Sequence, residues 1–384
     1  MQGGISLLGS TGSIGRQTLE VARALGVTVR ALSANRDIES LEAQIREFQP
    51  AIAAVFDEAA ARDIAARVRD MSVHIASGAD GLVEAACVDG ADTVVSAVVG
   101  TAGLLPTLAA IRLGRRLALA NKETLVCAGE LVMGAASEYG AEIVPVDSEH
   151  SALFQCLNGE SPTSVRKLIL TASGGPFRGM AREELARVTP EMALKHPNWS
   201  MGKKVTVDSA TMMNKGLEII EAAHLFSVPP ERIRVVVHPE SIIHSMVEFS
   251  DNSVKAQLSL PDMRLPIQYA LTYPTRKLSL VPELDLARSP SLTFFEPDLE
   301  AFPCLELAIT TAGKRGTACA ILNAANEAAV ELFLDGKLGF YGIYESICEA
   351  LEQTINIERP TLEDIIAADA SAKRLVFERV SRCT

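Results

Sequence analysis

Short apolar runs rich in β-branched residues alternate with amphipathic helical segments over the first 147 residues of the chain. The runs are ISLLG, VTVRALSA, AIAAVF, TVVSAVVG, RLALA and AEIVPV. Parallel strands are joined through long crossover connections, usually helices, so this alternation predicts a parallel sheet covered by helices. We therefore expect an α/β domain over residues 1–147.

The pattern changes after residue 147, which indicates further domains. Residues 148–275 mix helical segments with strands that carry polar residues, and they predict an α+β domain with antiparallel, half-buried strands. Residues 276–299 are rich in proline and weakly periodic, as expected of a linker. Residues 300–384 show helical periodicity almost throughout and predict a C-terminal α-helical bundle.

Composition and charge exclude two broad classes of protein. The 384 residues are 48% hydrophobic and 22% charged, which is the balance of a folded globular chain and not of a disordered one. Asp and Glu number 48 against 36 Lys and Arg, giving a net charge of −12, so we expect no nucleic-acid partner. An anionic ligand must therefore be bound by a local basic site.

The sequence predicts a cytoplasmic protein. Its seven cysteines include no CxxC pair and are interpreted as reduced thiols. The N-terminus lacks the basic region and cleavage site of a signal peptide. Residues 93–111 carry no charge, but Gly100, Gly103 and Pro106 divide them into a strand, a turn and a helix. We therefore expect no membrane span.

A glycine-rich turn, Gly9-Ser-Thr-Gly12-Ser-Ile-Gly15, joins the first strand to the first helix. Glycines let the backbone approach a pyrophosphate closely, and the free N–H groups at the helix start bind its charge. Such turns also occur without a ligand, and the GxxGxxG spacing departs from GxGxxG. Because the turn lies in the first βαβ unit, it favours a dinucleotide and a Rossmann-like domain.

The end of the second strand indicates which dinucleotide binds. NAD sites usually carry an acidic residue there for the ribose 2′-hydroxyl, whereas this chain has Asn35-Arg36-Asp37. The Arg36 guanidinium is available to a 2′-phosphate, which favours NADP over NAD. The alternative is a solvent-exposed turn in which Asp37 caps the next helix.

Asp147-Ser148-Glu149 follows the last predicted parallel strand, at the carboxyl edge of the sheet where open α/β folds bind ligands. In extended chain, residues two apart point to the same side, so the two carboxylates would converge and suit a hard divalent cation. The alternative is an acidic loop exposed to solvent.

Hydroxyl, amide and ammonium donors are concentrated between residues 171 and 221. Glu218 lies three residues beyond Lys215, so both side chains share one helix face. Taken singly, serines often cap helices, and the only tryptophan, Trp199, would ordinarily be a core residue. The density of donors favours a phosphate site, whose candidate members are Ser173, Ser209, Asn214 and Lys215.

Two other sites are weighed and rejected. His238 and His244 share one face of a strand, but six residues of extended chain separate them by about 20 Å, too far for one zinc ion. Ser148 and His150 resemble part of a hydrolase triad, but no GxSxG motif surrounds them. We expect His238 and His244 to be structural.

Eight segments, in family order, closely resemble the 1-deoxy-D-xylulose 5-phosphate reductoisomerase family. They are GSTGSIG (9–15), ANKETLV (120–126), PVDSEHSA (145–152), TASGGPFR (171–178), HPNWSMGKKVTVDSATMMNKGLE (196–218), HPESIIHSMV (238–247), PDMRLPI (261–267) and LNAANE (322–327). The match at 196–218 is far more specific than a glycine-rich turn, and the resemblance covers essentially the whole chain. It implies NADPH- and metal-dependent rearrangement and reduction of 1-deoxy-D-xylulose 5-phosphate to 2-C-methyl-D-erythritol 4-phosphate, in the non-mevalonate isoprenoid pathway.

The resemblance also implies roles for individual residues. Mg²⁺ or Mn²⁺, with Co²⁺ as a further option, would be held by Asp147, Glu149 and Glu218. The substrate phosphate would be held by Ser173, Ser209, Asn214 and Lys215. The rest of the substrate would contact Lys122, Ser148, Glu149, His196, Glu218 and the lid residue Trp199, among which Lys122, Glu149 and His196 would be catalytic. NADPH would contact Thr11, Gly12, Ser13, Ile14, Asn35, Arg36, Asn121, Glu123, Gly202 and Met263.

The family further implies a homodimer, with metal binding, substrate binding and dimerisation in residues 148–275. Two alternatives remain open. One is another NADP-dependent reductase, of the homoserine or semialdehyde dehydrogenase kind, and the other is an NADP-sensing protein without catalysis. Such a reductase does not need three carboxylates with a phosphate site, and a sensor has no reason to keep Lys122 beside them. Metal-dependent turnover therefore separates the three.

Overall fold

The computed structural model describes residues 3–197, 199, 201–289 and 291–383. Its chain divides into two units, each discontinuous in sequence. Unit 1 comprises Met1–Thr124, Leu131–Phe154 and Asp262–Glu283. Unit 2 comprises Leu125–Glu130, Gln155–Pro261 and Leu284–Thr384. The linear domain boundaries given above stay a prediction.

Unit 1 is built on an entirely parallel sheet of seven strands, which confirms the predicted Rossmann-like class. The strands are β1 (Gly4–Leu8), β2 (Val29–Ala34), β3 (Ile52–Val55), β4 (His74–Ser77), β5 (Ala91–Ser96), β6 (Arg116–Leu119) and β7 (Ile143–Pro145). Their order is β4-β3-β2-β1-β5-β6-β7. The winding direction reverses between β1 and β5, which makes this the switch point where folds of this kind bind ligands.

Each strand of this sheet is followed by a helix, and the first six of these helices connect it to the next strand. They are α1 (Ser13–Leu25), α2 (Ile38–Phe48), α3 (Glu58–Arg67), α4 (Gly78–Ala86), α5 (Leu104–Arg112), α6 (Glu123–Tyr139) and α7 (Ser148–Leu157). A helix from far along the chain, α12 (Arg264–Thr272), also belongs to unit 1. Its residues Ile267, Ala270 and Leu271 are buried in the same apolar core as Ile5 and Leu7 of β1.

The uncharged segment at residues 93–111 forms β5, a 3-10 turn over Gly100–Gly103, and α5, as the sequence predicted. Among the residues that the structure describes, no helix combines the length and the apolar character needed to cross a bilayer.

Unit 2 contains a mixed sheet of four strands, β8 (Val165–Ala172), β9 (Ile233–Val237), β10 (Ile243–Phe249) and β11 (Val254–Leu258), in the order β11-β10-β8-β9. Strand β10 is antiparallel to both neighbours, but β8 and β9 are parallel. The prediction of antiparallel strands was therefore wrong for this pair. The chain returns from β8 to β9 through a long helical crossover, and such a connection allows parallel pairing.

Four helices of unit 2 lie in that crossover: α8 (Arg182–Leu185), α9 (Pro190–Ala193), α10 (Lys203–Ala210) and α11 (Met213–Leu225). Four more form the helical C-terminal region that the sequence predicted: α13 (Pro303–Ala312), α14 (Ala318–Leu334), α15 (Phe340–Gln353) and α16 (Leu362–Cys383). Helix α14 is buried on nearly all sides and packs against α15 and α16. Its many alanines permit this close approach of neighbouring helices.

Candidate active site

The glycine-rich turn lies between β1 and α1, beside the switch point of the unit 1 sheet. Gly9 has a φ of +85°, and a Cβ there would lie 2.5 Å from the Ala97 carbonyl oxygen. A Cβ on Gly15 would lie 2.2 Å from the Gly9 carbonyl oxygen, so only glycine lets α1 begin this close to β1. The first turn of α1 carries no acidic residue. Its positive end is therefore suited to an anion, and the predicted contacts there are Thr11, Gly12, Ser13 and Ile14.

Asn35 and Arg36 follow β2, the neighbour of β1 in the sheet. The Arg36 side chain is 78% exposed, and its Nε lies 2.9 Å from Asp57 Oδ2. Asp37 caps α2 by accepting a hydrogen bond from the Ser40 N–H at 3.1 Å. Burial acts to raise the pKa of Asp37, but hydrogen bonds from Ser40 and the nearby Arg16 hold it below its ordinary value. Asp37 is thus a capping residue, and Arg36 is the accessible cation of this turn.

Asn121, Lys122 and Glu123 lie buried between β6 and α6. Asn121 Nδ2 lies 3.0 Å from the carbonyl oxygens of Val98 and Gly100 and 3.0 Å from Glu123 Oε2. Asn121 therefore joins the loop after β5 to the start of α6. This role of Asn121 was not predicted from the sequence. The sequence signal for it was the glycines of the loop after β5. One of them, Gly103, has no room for a side chain, because a Cβ there would lie 2.6 Å from Asn121 Oδ1.

The acidic residues after β7 do not lie in extended chain. Helix α7 begins at Ser148, and the Ser151 N–H donates to the Asp147 carbonyl oxygen at 2.8 Å. The predicted extended geometry was therefore wrong, because the chain turns into a helix directly after the strand. The two carboxylates nevertheless approach each other, with one oxygen of Asp147 and one of Glu149 within 4.8 Å.

Two further contacts define this acidic pair. Lys122 Nζ lies 2.6 Å from Asp147 Oδ2, with the two side chains only 10% and 17% exposed. The Ser148 hydroxyl donates to Glu149 Oε2 at 2.5 Å. The atoms that could ligate a metal ion here are carboxylate and hydroxyl oxygens. A hard divalent ion can bridge two carboxylates at this spacing. The pair in unit 1 therefore fits Mg²⁺ or Mn²⁺ by its donor chemistry.

Met263, the remaining predicted cofactor contact in unit 1, precedes α12 at the edge of the apolar core. Its neighbour Arg264 forms an ion pair with Asp262 at 2.6 Å and lies 3.5 Å from Glu20 of α1. The segment that carries Met263 is therefore tied to the helix that follows the glycine-rich turn.

In unit 2, the loop that follows β8 packs directly on the end of α10. Gly174 and Gly175 have φ values of +85° and +65°, which glycine adopts without strain. A Cβ on Gly175 would lie 2.6 Å from the Ser209 carbonyl oxygen. The Gly175 N–H also points to Ser173 Oγ, at 3.3 Å. The structure thus brings the Ser173 loop beside Ser209, two of the predicted phosphate residues.

The other two phosphate residues, Asn214 and Lys215, lie in the first turn of α11. Asn214 Nδ2 donates to Glu218 Oε1 at 2.5 Å, and Lys215 Nζ forms an ion pair with Glu218 Oε2. The predicted shared face of Lys215 and Glu218 is therefore present. Both side chains are almost fully buried, 5% and 1% exposed, so the charge of the Glu218 carboxylate is balanced locally. Its oxygens have the chemistry of a divalent-cation ligand.

His196 contacts the same Ser173 loop. Its Nε2 lies 3.1 Å from Ser173 Oγ, and its Nδ1 accepts the Trp199 N–H at 3.0 Å. Burial lowers the pKa of His196, so the ring is neutral near pH 7 and carries its proton on Nε2. The Trp199 ring meets His244 edge to face, with centroids 6.4 Å apart. Gly202, the predicted cofactor contact in unit 2, is the extended N-cap residue of α10.

His238 and His244 have structural surroundings, as expected. His238 is fully buried, its Nδ1 lies 2.9 Å from the Thr293 carbonyl oxygen, and its Nε2 accepts the N–H groups of Ile242 and Ile243 at 3.2 Å. Burial lowers the pKa of His244 to about 4. The His244 ring is therefore neutral near pH 7, and backbone groups surround the His238 ring.

Unit 1 has a Rossmann-like sheet with a glycine-rich turn at its switch point and paired carboxylates at its carboxyl edge. Unit 2 has a cluster of phosphate-type donors. These features are typical of an α/β oxidoreductase. Three family models match the chain: 1-deoxy-D-xylulose 5-phosphate reductoisomerase at residues 5–129, its C-terminal domain at 143–226, and the DXP reductoisomerase C-terminal domain at 258–375. The chain belongs to the 1-deoxy-D-xylulose 5-phosphate reductoisomerase family.

Individual relatives agree with this membership. A 1-deoxy-D-xylulose 5-phosphate reductoisomerase from Ruminiclostridium cellulolyticum is 54% identical over 370 residues, which cover 96% of this chain and 97% of the relative. The solved structure of the Zymomonas mobilis reductoisomerase in complex with NADPH is 44% identical and superposes with a TM-score of 0.92 over 99% of both chains. A DOX-P reductoisomerase in complex with NADPH, fosmidomycin and magnesium is 41% identical, with a TM-score of 0.94 over 99% of this chain and 98% of that one.

Proposed function

We propose that this chain converts 1-deoxy-D-xylulose 5-phosphate to 2-C-methyl-D-erythritol 4-phosphate, with NADPH as reductant and a divalent metal ion. The observation that carries the proposal is the pair of carboxylates after β7, Asp147 and Glu149, with the Lys122 ammonium against one of them. A simple hydride-transfer enzyme needs no such acidic pair, whereas a rearrangement of a hydroxyketone benefits from a cation that polarises its oxygens.

The glycine-rich turn and the start of α1 bind the pyrophosphate of NADPH in this proposal. Arg36 pairs with the 2′-phosphate, because it is the exposed cation at the end of β2 and needs only to exchange its contact with Asp57. The remaining contacts are Asn35, Asn121, Glu123, Gly202 and Met263. NADPH supplies the hydride that reduces the aldehyde formed in the rearrangement.

Asp147, Glu149 and Glu218 are the proposed metal ligands. All three are carboxylates. Asp147 forms an ion pair with Lys122 and Glu218 forms one with Lys215, so both carboxylates already bind a cationic group in the structure. Once bound, a divalent ion supplies Lewis acidity and a template for the substrate ketone and its adjacent hydroxyl. Magnesium is the first choice, with Mn²⁺ and Co²⁺ as alternatives.

Ser173, Ser209, Asn214 and Lys215 bind the substrate phosphate in this proposal. The start of α11 adds its own backbone N–H groups and the positive end of its dipole to the two side chains in its first turn. Because the phosphate does not react, its binding energy is available to hold the two fragments together during a retro-aldol and aldol sequence.

Catalysis then falls to a few side chains. In this proposal Lys122 orients the reacting end of the substrate, together with Ser148, and moves a proton through its Nζ. Glu149, whose Oε2 accepts from the Ser148 hydroxyl, accepts a hydroxyl proton of the substrate. His196 directs its Nε2 proton toward the Ser173 loop and fixes that loop. Trp199, on the chain just after His196, covers the substrate and excludes water.

We also infer that the enzyme is cytoplasmic and a homodimer, binds neither nucleic acid nor membrane, and takes a small phosphorylated substrate. The net charge of −12 supports the absence of a nucleic-acid partner. The phosphate-type donors of unit 2 support the substrate class.

The deciding experiment measures NADPH oxidation with 1-deoxy-D-xylulose 5-phosphate, first with Mg²⁺ or Mn²⁺ and then with EDTA. We expect consumption that depends on the substrate and stops on chelation. If NADPH binds but no divalent ion gives consumption, the proposed reaction is wrong, and another reductase or an NADP-sensing protein becomes the better explanation. Replacing NADPH by NADH in the same assay tests the assignment of the 2′-phosphate.

A further inference from the structure

The LNAANE segment of α14 has two asparagines that the proposed mechanism does not use. Asn323 and Asn326 are both fully buried, although asparagine is usually a surface residue. A buried amide persists only where it forms hydrogen bonds, so the partners of each side chain indicate what it holds in place.

Asn326 holds a buried carboxylate on another helix. Its Nδ2 donates to Asp208 Oδ1 at 2.8 Å, and the Asp208 side chain, on α10, is 1% exposed. The other carboxylate oxygen of Asp208 lies 2.9 Å from Lys204 Nζ, four residues earlier on the same helix. One oxygen is therefore engaged within α10 and the other by α14. An ionised carboxylate this deeply buried requires such partners.

The position of Asp208 in α10 connects this contact to the candidate site. Ser209, a proposed phosphate ligand, is the next residue, and α10 ends at Ala210. Successive side chains of a helix point about 100° apart, so fixing the direction of Asp208 also fixes that of Ser209. The Ser209 carbonyl is in turn the group on which Gly175 of the Ser173 loop packs. A rotation of α10 would therefore disturb both serines.

We propose that Asp208 and Asn326 are positioning residues, which hold α10 at the rotation that directs Ser209 to the substrate phosphate. This role rests on the proposed function, because it takes Ser209 as a phosphate ligand. Neither residue is expected to touch the substrate.

Asn323 provides a matched comparison in the same helix. It is equally buried, but its Nδ2 donates to Glu327 Oε1 at 3.0 Å, and Glu327 pairs with Lys373 of α16 at 2.8 Å. The two asparagines therefore serve different partners, Asn326 toward α10 and Asn323 toward α16. A variant at either position weakens α14, but only the one at Asn326 changes the support of Asp208.

The test compares full-length Asn326→Leu and Asn326→Asp with Asn323→Leu. Both Asn326 variants are expected to raise the KM for 1-deoxy-D-xylulose 5-phosphate about tenfold, with a smaller change in kcat and unchanged NADPH affinity. Asn323→Leu is expected to lower the melting temperature similarly but to keep this KM within about twofold. Equal KM increases at the two positions would overturn the positioning role.

The affinity for inorganic phosphate separates this proposal from the reaction itself. If the wild-type chain does not turn over 1-deoxy-D-xylulose 5-phosphate but binds phosphate, and Asn326→Asp weakens that binding while Asn323→Leu does not, the reaction is wrong and the positioning role stands. If phosphate binding is the same in all variants, or absent in the wild type, Asp208 and Asn326 do not position a phosphate site.

Discussion

Lys122 Nζ lies 2.6 Å from Asp147 Oδ2, and these residues follow β6 and β7, which are neighbouring strands of the parallel sheet. Because both side chains are largely buried, this contact stabilises both charges. In the proposed function, the ammonium competes with the divalent cation for the Asp147 carboxylate and turns toward the substrate once the cation binds. The proposed function therefore predicts that metal binding at Asp147 controls the availability of Lys122.

Replacing either partner of this pair should give opposite effects on metal affinity. Lys122→Met is expected to lower kcat by roughly 10²-fold or more, because a proton-transfer group is lost, while Mg²⁺ affinity is kept or increased. Asp147→Asn is expected to weaken Mg²⁺ binding, because a charged oxygen ligand is lost. Titrating Mg²⁺ in the NADPH oxidation assay measures both. The control is Lys255→Met, which removes an exposed pair with Glu160 at 2.9 Å and should leave both constants unchanged. A Lys122→Met enzyme with normal kcat would exclude the catalytic role.

Glu218→Gln tests the third proposed ligand. The substitution keeps the size of the side chain and its contact with Asn214, but it removes the charge that pairs with Lys215 and would bind the metal. We expect metal-dependent turnover to be abolished while the dissociation constant for NADPH stays near normal. Glu231→Gln, at an exposed position soon after α11, is the matched control and should be active. Normal turnover by Glu218→Gln at any Mg²⁺ concentration would show that Glu218 is not a ligand.

Gly175 offers a test of the Ser173 loop. Comparing it with Gly179 separates the effect of backbone strain from that of a steric clash. Gly175→Ala introduces a side chain at a φ of +65° and places its Cβ 2.6 Å from the Ser209 carbonyl oxygen. Gly179→Ala, in the same loop, has a φ of +83° but nothing within 4 Å of its Cβ. Gly179→Ala should lose about 1 kcal/mol of folding free energy through backbone strain, and Gly175→Ala should lose more because its Cβ also clashes with the Ser209 carbonyl oxygen. Only Gly175→Ala should also raise the KM for the phosphorylated substrate, by about tenfold. Equal KM values for the two variants would show that the contact between Gly175 and the Ser209 carbonyl does not affect substrate binding.

The features that the sequence predicted well depend on short segments of chain. The first βαβ unit, the glycine-rich turn and the shared face of Lys215 and Glu218 follow from local spacing, which periodicity reports directly. The edge strand β4 was missed because its sequence, HIAS, has one buried residue and no alternating pattern. Its place in the sheet is set by pairing with β3.

Other features depend on contacts that no local pattern carries. Asp147 and Glu149 were placed in extended chain because the strand pattern does not mark where α7 begins. The parallel pairing of β8 and β9 joins segments far apart in sequence, and so does the contact between Asp208 and Asn326, 118 residues apart. The resemblance predicts the residues of the candidate site, whereas the contacts that orient them required the tertiary structure.

Arg36 should determine the preference for NADPH over NADH. Its side chain is 78% exposed, and to bind a phosphate the guanidinium gives up only a weak surface ion pair with Asp57. We expect Arg36→Ala to raise the dissociation constant of NADPH by roughly tenfold or more, because a charge-assisted hydrogen bond to phosphate is lost, and to leave that of NADH unchanged. Arg62→Ala, another exposed arginine in a surface pair, is the control. Equal losses for NADPH and NADH would mean that Arg36 does not contact the 2′-phosphate.

Buried histidine should make the fold sensitive to acid. Burial lowers the pKa of His244 to about 4, whereas the unfolded chain protonates this ring near 6.5. Above that value both states are neutral and the stability is intact, but as the pH falls below about 6.5 the unfolded state gains a proton that the folded state rejects. Near pH 5 this difference amounts to about 2 kcal/mol of unfolding free energy, so the melting temperature should fall between about pH 7 and pH 5. In His244→Gln this fall should be smaller, while His74→Gln, which removes an imidazole from the surface, should reproduce the wild-type fall. The same pH dependence in His244→Gln and wild type would assign the acid sensitivity to other groups.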